Sequence, residues 1–106
     1  MNIDKIKRLQ KYYASQAEHI EWNQRCCVGG VLENWGNRSS TNASPHSIST
    51  ELSITYAEAE KLFWLRAPDG IGRLSEFNHM SLAQQKAFLH EALETLMRTG
   101  EVVITL

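Results

Sequence analysis

Disulfide chemistry, membrane insertion and strong electrostatics all lack the residues they need in this sequence. The two cysteines, Cys26 and Cys27, are immediate neighbours. A bridge between them would close a small strained ring, so no disulfide framework is expected, and free thiols fit a reducing compartment. No run approaches the roughly 18 consecutive apolar residues that mark a membrane span. The opening Met-Asn-Ile-Asp-Lys has no apolar stretch, so no secretion signal is read and a cytoplasmic location is expected. The formal net charge of −1 gives no electrostatic basis for bulk binding to nucleic acid or to an anionic surface. There is no C-x-x-C, no H-x-x-x-H and no glycine-rich nucleotide fingerprint, so neither a metal nor a cofactor is expected.

What is present suffices for one domain, 1–106. A chain of 106 residues with 42% apolar content buries roughly two-thirds of its unfolded surface, enough for a modest core. The clearest local signal lies in 81–106. Ser81 followed by Gln84 makes a capping box. Leu82, Leu89 and Leu96 recur at heptad spacing, and Phe88, Ala92 and Leu93 widen the stripe. Gln84, Gln85, Lys86, Glu91, Glu94 and Arg98 fall mostly on the other side, so this is an amphipathic helix. Gly100 ends it, and the β-branched 101–106 reads as a strand.

Upstream, 3–24 reads as a first helix with a seam of Ile3, Ile6, Tyr13, Ala17 and Ile20. Gln10 and Gln24 interrupt the seam, which favours a helix packed on the domain or on its copy over a coiled coil. Lys5, Lys7, Arg8 and Lys11 make its opening turns basic, read as a solvated face rather than an anion site. Segment 25–35 reads as a strand bulged at Gly29 and Gly30, with a short helix at 31–35 as the alternative. Residues 36–47 form a polar loop of flexible character. In 48–54, Ile48, Thr50, Leu52 and Ile54 alternate with Ser49, Glu51 and Ser53, which predicts a half-buried strand. Thr55 and Glu58 make a second capping box, opening a helix that ends before Pro68. A turn-rich connector follows, then a short helical turn in 74–80.

The resulting order is α-β-β-α-α-β: a small α+β domain with a three-stranded, mostly antiparallel sheet and about three helices. So short a sheet has exposed edges, which favours a homodimer through a strand edge or through the N-terminal helix.

The chemistry-bearing residues are scattered. His90 and Glu94 stand one helical turn apart but make only an incidental pair. Cys26 or Cys27 with His46 is the one nucleophile–base set that can be assembled, and a buried cysteine is more often a small core residue. Asp69, Gly70, Gly72 and Arg73 could form an anion nest, or an ordinary helix connection. Around that loop, Trp64, Arg66, Asp69, Arg73, Phe77 and His79 have the aromatic and arginine composition of a protein-binding surface. The reading is a small regulatory or accessory protein, of a size common in bacteria and phage, that binds another protein without catalysis. The alternatives are a winged-helix nucleic-acid-binding regulator, using 74–77 and 101–106, and a cysteine-dependent enzyme or redox-sensitive protein.

Overall fold

The computed structural model of the chain describes residues 1–23, 28, 31, 32 and 44–106. Within them the chain is helical. The delimited helices are α1 (Ile3–Ala14), α2 (Pro45–Leu52), α3 (Tyr56–Trp64), α4 (Leu74–Asn78) and α5 (Leu82–Thr99). No sheet forms among the described residues; one isolated antiparallel bridge joins Arg66 to Gly72. The α+β expectation is therefore corrected to an α-helical fold.

The largest correction is 48–54, expected as a strand. Residues 45–52 are helix α2, with Ile48 and Leu52 buried at the i, i+4 spacing of one helical face. The same residues also satisfy an alternating pattern, because Ile48 and Leu52 lie an even number of positions apart. The deciding local signal was upstream. Pro45 at the first helical position has its φ preset for a helix and its missing N–H costs nothing there. Left-handed Ser53 (φ 53°) ends the helix, and Ile54 N–H donates to Ser49 C=O at 3.2 Å. In the other expected strand, 25–35, Val28, Val31 and Leu32 are helical and buried, again at i, i+3, i+4. The remaining residues of that segment, Cys26, Cys27 and Trp35 included, lie outside the described residues, as do positions 36–43 of the expected polar loop.

Helix α1 stops at Ala14, well short of the expected 24. Its buried seam is Ile6, Leu9 and Tyr13. Beyond it, Ile20 and Trp22 both enter the core. Residues two apart fall on one side of an extended chain but on different faces of a helix, so continuing α1 would expose one of them. Helix α1 packs on α5 and α2. Gln10, which interrupts the seam, donates to Glu94 Oε2 at 2.8 Å and to His90 C=O at 3.2 Å.

Helix α5 matches expectation at both ends. Gln84 N–H donates to Ser81 Oγ and Ser81 N–H donates to Gln84 Oε1, and Gly100 takes the left-handed cap. Gln85, assigned from the sequence to the solvent side, is instead fully buried. Its Oε1 accepts from Ile20 N–H at 2.9 Å, and its Nε2 donates to Ile20 C=O at 2.8 Å and Phe77 C=O at 3.0 Å. Trp22 N–H donates to Asn78 Oδ1, and the Trp22 indole donates to Phe63 C=O. The irregular segment after α1 is thus docked by side-chain amides rather than by a neighbouring strand, with Trp22 packed between Tyr13 and Phe77.

Candidate site between the hairpin and the C-terminal segment

Helix α3 ends before Pro68 takes effect. Leu65 is fully buried with φ 48°, a left-handed conformation that is costly for a β-carbon-bearing residue. Anchoring its side chain in the core holds it there and turns the backbone into a hairpin over 65–73. Ala67 N–H donates to Ile71 C=O at 2.9 Å, and Arg73 N–H to Leu65 C=O at 2.9 Å. Pro68, Asp69 and Gly70 form the loop, with Gly70 at φ 84° as a three-residue hairpin requires. At Gly72 a β-carbon would lie 2.9 Å from the Trp64 carbonyl oxygen, so only glycine fits there.

The loop weighed as an anion nest against an ordinary helix connection is filled by its own carboxylate. Asp69 Oδ1 accepts from Ile71 N–H at 2.9 Å and Oδ2 from Arg73 Nη2 at 2.5 Å. The Ile71 amide first, and the Arg73 guanidinium second, hold the Asp69 carboxyl below its ordinary range. Arg73 also donates from Nε to Leu106 C=O at 3.3 Å, which ties the hairpin to 101–106.

That C-terminal segment, expected as a strand, pairs with no strand among the described residues. It keeps the alternation: Val102 and Ile104 are buried, Val103 and Thr105 exposed. Its entry is fixed by Glu58. Thr55 Oγ1 accepts from Glu58 N–H, but the Glu58 carboxylate does not complete the expected capping box. Its Oε2 accepts from Val102 N–H at 2.6 Å, and its two oxygens also pair with Lys61 Nζ. Sequence spacing identified Glu58 as a cap; its role as an anchor for a segment far along the chain had no local signal.

Between the hairpin and 101–106 runs a groove of about 440 Å³, lined by Lys61, Arg66, Ala67, Pro68, Gly70 and residues 101–104. Of the expected surface residues, Arg66, Asp69 and Arg73 belong to the hairpin beside it. Arg66 Nη1 pairs with Glu60 at 3.4 Å. Trp64 opens the hairpin 42% exposed, edge-on to Phe63. Phe77 does not join them: it is fully buried against Trp22 and Phe88, in the core. His79 is exposed at the end of α4, with Nδ1 2.7 Å from Ser75 C=O. His46 is exposed on α2, and its expected cysteine partners lie outside the described residues. Among the described residues no cluster of three metal-ligating side chains occurs, and 101–106 forms no wing hairpin.

No family model, curated protein or solved structure matches this chain. Among the described residues no helix is long and apolar enough to cross a membrane.

Proposed function

We propose that this chain is a small accessory protein that works by docking another protein on the face formed by the 65–73 hairpin and residues 101–106. One observation carries the reading. Six large apolar side chains are exposed among the described residues, and three of them, Trp64 (42%), Ile71 (60%) and Val103 (40%), lie on or beside the two segments that wall the groove. A half-exposed tryptophan with arginines beside it has the composition of interface hot spots. The backbone under them is tied by the Asp69–Arg73 ion pair and by the Arg73 contact with Leu106, which lowers the cost of ordering it on binding. A cytoplasmic location belongs to the same proposal and rests on the adjacent cysteines.

The test uses linear peptides selected by phage display on the wild-type chain. They should lose at least tenfold in affinity against Trp64→Ala and against Arg73→Glu, with circular dichroism unchanged. Peptides that bind both folded variants as tightly as wild type would show that the docking face lies elsewhere.

A further inference from the structure

Two grooves meet along residues 101–106. One is the 440 Å³ groove against the hairpin. The other, of about 230 Å³, runs between the same segment and α5 and is lined by Phe88, Glu91, Ala92, Thr95, Val103 and Thr105. Val103 lines both, so its exposed side chain is the ridge between them. Burial alternates along the segment: Val102 and Ile104 are buried, and Glu101, Val103 and Thr105 are exposed. Its outward face therefore carries a carboxylate beside an apolar side chain, about 7 Å apart in an extended chain.

The charge of this face does not balance. Lys61 Nζ lies 3.0 Å from Glu58 Oε1, and Arg66 Nη1 lies 3.4 Å from Glu60 Oε2, so each cation of the first groove already has its carboxylate. Glu58 is further fixed by the Val102 N–H it accepts. Glu101 is the remaining charge there. Its backbone N–H donates to Thr99 Oγ1, and its carboxylate has no partner among the described residues. Across the Val103 ridge, Glu91 is the one charged residue lining the second groove, exposed and equally without a partner among the described residues. Arg73 is taken by Asp69 and the Leu106 carbonyl, and Arg98 lines neither groove.

We infer that this face takes a basic segment of a partner protein, with a lysine or arginine set beside an apolar side chain. The inference rests on the protein-docking reading and names the charge of the partner. The long stem of such a side chain covers Val103 while its charged end reaches Glu101. An acidic segment would meet two unpartnered carboxylates and reach Lys61 or Arg66 only by breaking their pairs. A wholly apolar segment would strip water from Glu101 and give it no partner. Opposite charge across the contact thus selects the partner, and the apolar side chains hold it.

The experiment takes peptides selected by phage display on the wild-type chain and measures their Kd against Glu101 variants. Glu101 is exposed and its carboxylate bonds nothing within the chain, so the variants should keep the wild-type circular dichroism. The peptides should share a lysine or arginine next to an apolar residue. Replacing that basic residue by alanine should weaken binding to wild type about two- to fivefold, and should leave binding to Glu101→Gln unchanged. Glu101→Lys, which sets like charges together, should lose more. Raising salt from about 0.05 to about 0.5 M should weaken binding to wild type, and the double variant Glu91→Gln/Glu101→Gln should lose that salt dependence. Peptides that lose affinity on Trp64→Ala but bind Glu101→Gln and Glu101→Lys as they bind wild type overturn the inference while the docking reading stands. Selection of acidic or uncharged peptides does the same. Peptides indifferent to Trp64→Ala and to every Glu101 variant overturn both. Movement of the Glu101 and Val103 amides with protein concentration alone would make the occupant a second copy, whose α1 carries Lys7, Arg8 and Lys11, and reject the partner segment.

Discussion

Replacing Gln85 by methionine tests whether side-chain amides hold the chain after α1. Methionine nearly matches glutamine in length, so the change removes hydrogen bonds without opening a large cavity. Four groups lose a partner, but they do not count equally. Phe77 C=O keeps the Met80 N–H at 3.1 Å, and His19 is exposed and can turn to water. The N–H and C=O of Ile20 are left buried with no partner. At roughly 1–3 kcal/mol for each orphaned group, the cost is about 2–6 kcal/mol. Local peeling of residues 15–23 caps the upper end, because that releases the groups to water at the expense of burying Ile20 and Trp22. We therefore expect about 2–4 kcal/mol, a large share of the roughly 5–15 kcal/mol that holds a small domain together. With a urea slope near 1–1.5 kcal/mol/M, the unfolding midpoint falls by roughly 1.3–4 M. Tryptophan fluorescence reports the transition, and hydrogen exchange at Ile20 N–H separates local from global opening. Gln85→Glu should be worse at neutral pH, since a carboxylate oxygen would face the Ile20 and Phe77 carbonyls, and should recover on acidification as a proton restores the donor. If Gln85→Met stays within about 0.5 kcal/mol of wild type and the Ile20 amide stays protected, the clamp contributes nothing and the reasoning fails.

Ser53→Gly should stabilise the chain by about 0.5–1 kcal/mol, read as a rise in unfolding midpoint, because Ser53 is exposed and held at φ 53° where glycine is unstrained. Glu58→Ala should release the Val102 amide, costing about 1–3 kcal/mol and accelerating its hydrogen exchange, whereas Glu58→Gln keeps an acceptor and most of the protection. The Asp69 carboxyl titrates below its ordinary 3.8, so the folded hairpin binds fewer protons than the unfolded chain. Its contribution is complete above that value and is lost as pH falls through the lower folded value. The Ile71 amide should shift with a midpoint below 3.8 in wild type and show no such step in Asp69→Asn.

The parts of the fold legible in the residues were those governed by contacts within one turn. Ser81 with Gln84, Gly100, and Thr55 at the start of α3 each cap a helix as their spacing implies. The failures have one physical form. Ile48 and Leu52 fit a strand face and a helix face equally, and only their neighbours decide which is used. Gln85 has the composition of a solvent residue, yet it is buried because the segment after α1 brings it a backbone to bind. The proposed docking face was half legible: the Trp64, Arg66, Asp69 and Arg73 cluster sits on one hairpin, while Phe77, sharing the same stretch of sequence, is consumed by the core.

Sequence by itself determined the start of α3, both ends of α5, the glycine-containing turn at 70–72, and an alternating, β-branched segment at 101–106. Those features depend on backbone sterics and on hydrogen bonds between residues a few positions apart. Tertiary structure decided what that alternating segment does. It lies against the hairpin, held at its ends by Glu58 and Arg73. A strand needs a neighbour to satisfy its backbone, and whether a distant segment provides one is a property of the packed chain rather than of any local run of residues.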